Sequence, residues 1–149
     1  MQNFTIYMIA FEKIRAVGFD VAGPRIGMCA PDIELVDSKV DACGRGCPAN
    51  NGLGIIDAPG ICAGAGGSHG GLGGYGGTHS LDNSVQETCK NIRPTPYFFE
   101  DQGRYEGSGG MHGNTYDAGA GGGIIWLSAT GNTELYDTIL SVNGEDAGY

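Results

Sequence analysis

The chain has 149 residues, 29 of them Gly, and a formal net charge of −9 with only 8 Lys plus Arg. Leu, Ile, Val and Phe together make about a fifth of it, at the edge where chains lack the material for a core. This excludes phosphate-backbone binding as the main activity, because nucleic-acid binders need a basic footprint. No apolar run approaches the ~18 residues of a membrane span, and the length predicts a single domain, residues 1–149.

Phe4, Ile6 and Met8 alternate with Thr5, Tyr7 and Ile9, which predicts a strand at the amino terminus. The segment lacks the basic region and small-residue cleavage site of a signal peptide. Residues 1–24 read as an N-terminal strand segment with no evident local partner, a candidate for pairing with a neighbouring subunit. Asn3 opens the only Asn-x-Ser/Thr sequon and is the N-glycosylation candidate. Residues 10–17 carry the only helix-like pattern, and Gly18 argues against it.

Residues 43–77 turn Gly- and Cys-rich. Cys43 and Cys47 are separated by three residues, the spacing of neither a redox pair nor half a zinc ribbon. Five cysteines (Cys29, Cys43, Cys47, Cys62, Cys89) in such a chain point to an oxidising compartment. All five are disulfide candidates, and the odd count leaves one for a free thiol or another subunit. Residues 78–106 read as irregular and polar, and contain the aromatic run Tyr97-Phe98-Phe99. A second Gly-rich stretch covers 107–123. Both Gly-rich stretches are expected as extended, polyproline-II-like segments laid against sheets.

Strand character returns over 124–149. Ile124, Ile125, Trp126 and Leu127 cannot all face one core, so Trp126 or Ile124 needs a second covering surface. An internal repeat appears here: Glu34, Leu35, Asp37 and Gly44 recur as Glu134, Leu135, Asp137 and Gly144 without a gap. Leu35 and Leu135 point inward on a strand, and an Asp-Ser or Asp-Thr pair then bends the chain by bonding its own backbone. Two short strands joined at such a corner describe one coil of a β-solenoid. The expected fold is therefore all-β, with β-solenoid or β-helix-like coils and long Gly-rich loops. The alternative is a β-sandwich completed by a strand from a neighbouring protomer.

The succession Arg25-Ile26-Gly27-Met28-Cys29-Ala30, DSKVDACGRGCPANNGLG (37–54), GAGGSHGGLGGYGG (64–77), YEGSGGMHG (105–113) and AGAGGGIIWLSATG (118–131) resembles a recurring module. That module belongs to large, Gly-rich, Cys-containing surface proteins of ciliates and other protists. The resemblance spans about residues 25–148, and the order of the motifs is more specific than any one of them. It implies a β-helix-like fold and an extracellular or cell-surface location, and carries no activity across. This chain departs from the usual pattern at Glu106, where the turn commonly has Pro, and at Val142, where Ala is usual.

For chemistry the sequence offers little. Asp37, Asp41 and Asp137 are the carboxylates a glycan-cleaving β-helix would need, but Asp37 and Asp137 occupy the turn the repeat predicts, and Asp41 reads as a solvated strand residue. No nucleophile elbow, His-Glu-x-x-His or P-loop is present, so the expectation is no enzyme and no catalytic residue. His69, His79 and His112 lie near Asp82, Glu87 and Asp117, yet no spacing brings two His to one face, so no metal site is expected. Calcium suits the acidity without a recognisable binding loop, so no cofactor is expected. Tyr97, Phe98 and Phe99, with Tyr105 and Tyr116, could stack on sugar rings. The expected function is an extracellular structural protein that assembles head to tail with copies of itself, through Phe4, Ile6, Met8, Trp126, Leu135 and Leu140. A carbohydrate-binding adhesive module, with glycans as partners, is the first alternative, and a glycan-active β-helix enzyme the second.

Overall fold

A computed structural model of the chain describes residues 4–55, 67, 81–92, 105–111 and 118–146. The described strands are β1 (Thr5–Ile9), β2 (Lys13–Val17), β3 (Asp20–Ala22), β4 (Arg25–Ala30), β5 (Asp32–Val36) and β6 (Lys39–Asp41). After them come a helix, α1 (Asn83–Lys90), and the strands β7 (Ile124–Ala129), β8 (Thr133–Tyr136) and β9 (Ile139–Ser141). They form three three-stranded sheets ordered β1-β4-β7, β2-β5-β8 and β3-β6-β9, and every pair is parallel. Among the described residues the architecture is thus all-β apart from the one short helix. The chain visits the first, second and third sheet in turn, and does so three times. Consecutive strands never pair, which departs from the hairpins of a sandwich.

The register explains the order. Side chains alternate across each strand, so one set points inward on every pass. In register these residues stack as Ile6, Ile26 and Ile125; Met8, Met28 and Leu127; Ile14, Ile33 and Thr133; Ala16, Leu35 and Leu135; Val21, Val40 and Leu140. Like sits on like because neighbouring strands are only about 4.8 Å apart and each inward residue meets its counterpart directly. The middle pass gains most: Ile26, Met28, Ile33, Leu35 and Val40 are fully buried and unite the sheets in one apolar cluster. Each such burial contributes about 1.5–3 kcal/mol, which is how a chain poor in large aliphatics still forms a core.

The corner between the second and third sheets is built alike on each pass. Gly18, Asp37 and Asp137 occupy it with φ of 62°, 49° and 46°, the left-handed region. The next residue closes the turn where it carries a hydroxyl. Ser38 Oγ donates to the Val36 carbonyl at 2.8 Å and accepts from the Phe19 amide at 3.3 Å, and Thr138 Oγ1 reaches the Tyr136 carbonyl at 3.0 Å. The Asp-Ser and Asp-Thr corners stand where the repeat predicts them, but it is the hydroxyl that bonds the backbone while Asp supplies the positive φ.

Between β6 and β7 the described Gly-rich segments pack backbone on backbone. Gly46 N donates to Gly121 O at 2.7 Å, Gly121 N to Cys47 O at 2.9 Å, Cys47 N to Gly107 O at 3.0 Å and Gly107 N to Gly122 O at 2.8 Å. Gly123 N reaches back to Ala42 O at 2.7 Å, tying the segments to the end of β6. A Cβ at Gly121 would overlap the Gly107 carbonyl, so the approach itself requires glycine.

The structure refines the sequence expectations at three places. The amino-terminal strands do have local partners: β1, β2 and β3 pair along their lengths with β4, β5 and β6 of the same chain, which leaves their other edge open. The helix-like pattern over 10–17, which Gly18 argued against, is indeed not a helix: β2 occupies it, because Ile14 and Ala16 alternate onto the core. The polar stretch 78–106 holds α1, capped by Asp82, whose carboxylate accepts from the Ser84 amide at 2.8 Å. Its apolar face is too thin to read as a period, since Cys89 is its one buried residue. Among the described residues no helix is long and apolar enough to cross a membrane.

Candidate assembly surfaces

The three sheets share a common pair of edges. On one side lie β1, β2 and β3, on the other β7, β8 and β9, and no described strand pairs beyond either set. Unpaired amides and carbonyls along such edges template further strands. The apolar ranks are likewise open at both ends. Leu35 is 0% exposed, whereas Leu135 one strand further on is 42% exposed; Val40 and Leu140 differ in the same way, 0% against 39%. At the opposite edge Ile6, Met8, Ile14 and Ala16 are half-buried against the cluster.

The assembly candidates read from the sequence therefore fall on these two edges. Ile6 and Met8 face inward on β1, and Leu135 and Leu140 face inward on β8 and β9. Phe4 is exposed just before β1. Trp126 points outward from β7, its ring edge-on to Tyr7 with centroids 6.4 Å apart. Gly27 lies between them in register, and a Cβ there would meet the Tyr7 ring, so its absence lets the two rings touch across the strand.

The outward face of the second sheet carries a charged row. Glu34 pairs with Lys13 at 2.5 Å and with Arg15 at 3.1 Å. The Lys13 ammonium, then the Arg15 guanidinium, hold the Glu34 carboxyl below its ordinary value, and Glu34 raises Lys13 in return. Glu134 stands directly beside Glu34 in register, and its carboxylate accepts from the Tyr136 hydroxyl at 3.4 Å. On the third sheet Asp41 accepts from the Cys43 amide at 2.9 Å and pairs with Lys39 at 3.0 Å. The Cys43 amide above all, with Lys39 second, holds its carboxyl far below the usual carboxylate range. This is the signature of a structural anion that closes the strand end. Arg25 pairs with Glu106 at 2.5 Å and lowers its carboxyl, fastening β4 to the residue that leads into the second Gly-rich segment.

The described cysteine candidates divide between free and bonded. Cys29, near the end of β4, and Cys43 and Cys47, in the segment after β6, are free thiols. Cys43 Sγ lies 2.7 Å from Ser141 Oγ, and burial pushes the Cys47 thiol up. Cys89 is buried and disulfide-bonded. Cys62, the sequon at Asn3, the histidines His69, His79 and His112, and the aromatics Tyr97, Phe98, Phe99 and Tyr116 lie outside the described residues. Among the described residues no three His, Cys, Asp or Glu are grouped to hold a metal ion.

Sequence reasoning passed over Lys13, Arg15, Glu34 and Glu134 as an ensemble. The recurrence of Glu34 as Glu134 within the repeat was a usable signal. The cationic half was hidden because the spacing between passes shifts: Thr5 faces Arg25, but Lys13 faces Asp32. Compared with family models, curated proteins and solved structures, the chain finds no significant match.

Proposed function

We propose that the chain is a β-solenoid structural unit of an extracellular or cell-surface filament or layer, built by stacking the third pass of one copy on the first pass of the next. The observation that carries this reading is the self-complementarity of the two open edges. Continuing each in-register rank by one strand sets Ile125 against Ile6 of the next copy, Leu127 against Met8, Leu135 against Ala16 and Leu140 against Val21. These are the kinds of neighbours each residue already has within the chain. The contact joins two different surfaces, so it does not close on itself as a twofold dimer does and propagates into a filament unless it curves into a ring. Backbone ladders would supply the register and the half-exposed leucines the apolar area.

Negative-stain microscopy and sedimentation of the purified chain test it. Fibres or rings whose abundance rises with concentration are expected, and Leu135→Asp should abolish them by placing an unpaired charge in an apolar rank. A chain that stays monomeric at millimolar concentration overturns the reading.

A further inference from the structure

We infer that the register and polarity of that stack are set by a charge ladder in which Glu134 of one copy seats against Lys13 and Arg15 of the next. The inference rests on the head-to-tail reading and adds its recognition code. Across the outward face of the second sheet the in-register row reads Arg15, Glu34, Glu134, with Lys13 two residues before Arg15 on the same strand. Two cations thus lie at the first edge and two carboxylates follow, one of them at the far edge. Within the chain both cations converge on Glu34. Glu134 feels Lys13 only at a distance and stands directly beside a like charge, an arrangement that destabilises adjacent strands.

A second copy placed one strand beyond β8 corrects the imbalance. Its Arg15 continues the row next to Glu134 at the same step that separates Arg15 from Glu34 inside the chain. Its Lys13 reaches the same carboxylate as it reaches its own Glu34. The two cations then lie between two carboxylates. The side chains of Lys13 and Arg15 are 46% and 64% exposed, so they are free to span both. Slipping the contact by one residue would turn Ile14 or Ala16 outward and bury the charges in the core. Slipping by two would bring Val17 beside Glu134 in one direction and Lys13 in the other; the second keeps a cation there but sets Ile14 instead of Ala16 against Leu135 and shifts every other apolar rank. Reversing one copy would set far edge on far edge, carboxylate toward carboxylate, or first edge on first edge, cation toward cation. The ladder and the apolar ranks together therefore select one register and one direction, with a second copy of this chain as the occupant.

Charge inversion with mixing tests it. E134K makes the far edge repel the first edge of the next copy. K13E/R15E/E34K inverts the first edge while preserving opposite charges within the chain. Each variant alone is expected to raise the critical concentration for assembly at least about tenfold, and an equimolar mixture to restore it, because each edge then meets its opposite. E134K also replaces the like-charge neighbour of Glu34, so its monomer should melt no lower than wild type. That separates lost assembly from lost folding, and E134Q provides a neutral control expected to fall between. If wild type assembles and E134K assembles at the same concentration, the ladder is overturned and the head-to-tail reading stands. If wild type itself never assembles, the head-to-tail reading falls and takes the ladder with it.

Discussion

At the scale of single residues, two positions are determined by local physics and can be probed alone. Asp37 and Asp137 adopt a conformation that costs an ordinary L-residue roughly 1–2 kcal/mol, and Asp tolerates it better than most. The first pass solves the same corner with Gly18. Asp37→Gly should therefore be neutral to stabilising by up to about 1 kcal/mol, whereas Asp37→Val should destabilise by about 1–2 kcal/mol or more, read from urea midpoints. Asp41 governs acid behaviour. Its folded carboxyl lies below the ordinary value because the Cys43 amide and Lys39 favour its charged form. Its contribution is thus complete above pH ~4 and drains away as the pH falls from there toward its folded value. Glu34 and Glu106 are also lowered and act in the same direction, their contributions fading as acid titrates them. Melting temperature should fall below pH ~4, and Asp41→Asn should flatten that acid limb while lowering stability at pH 7.

At the scale of elements, the strands and the Gly-rich segments rest on different forces. A strand of the middle pass is held by side chains: Leu35→Ala should cost about 2–5 kcal/mol, since nothing can collapse into a site covered on both sides. The segments between β6 and β7 are held by backbone approach. Gly121→Ala should break the hydrogen bonds to Gly46 and Cys47 and unfold those segments locally. Hydrogen exchange would register this as lost protection at Gly46, Cys47 and Gly107 with β4 and β5 still protected. Uniform loss across the strands would show instead that the two parts fold as one unit. Close backbone approach within these tracts was legible from glycine content, but which tract lies on which was not.

At the scale of the whole molecule, what is unusual is the gradient of cover from the middle pass to the two ends. Leu35 and Leu135 are equivalent in the repeat, yet one is sealed and the other open. Leu135→Ala should accordingly cost the monomer far less than Leu35→Ala while weakening assembly more. Melting temperature should rise with protein concentration in wild type, because association binds the folded state alone, and that dependence should vanish in Leu135→Asp. Raising salt should weaken assembly if charge pairing between copies contributes.

What the sequence determined by itself was whatever repeats locally. The alternation of Phe4 to Ile9, the recurrence of Glu34-Leu35 and Asp37 as Glu134-Leu135 and Asp137, and the hydroxyl after each Asp mark strands and corners directly. A strand's faces and a turn's φ depend on neighbours in the chain. Only the tertiary structure decided that residues 5–22 form a first pass, since its repeat is broken by a one-residue change at the first corner and the ranks become visible only once strands lie side by side. The helix after Asp82, the free thiols at Cys29, Cys43 and Cys47, and the charged row across β2, β5 and β8 belong to the same class. Each depends on which distant segment arrives next to it, and parallel pairing across up to a hundred residues is a choice made by the assembled core.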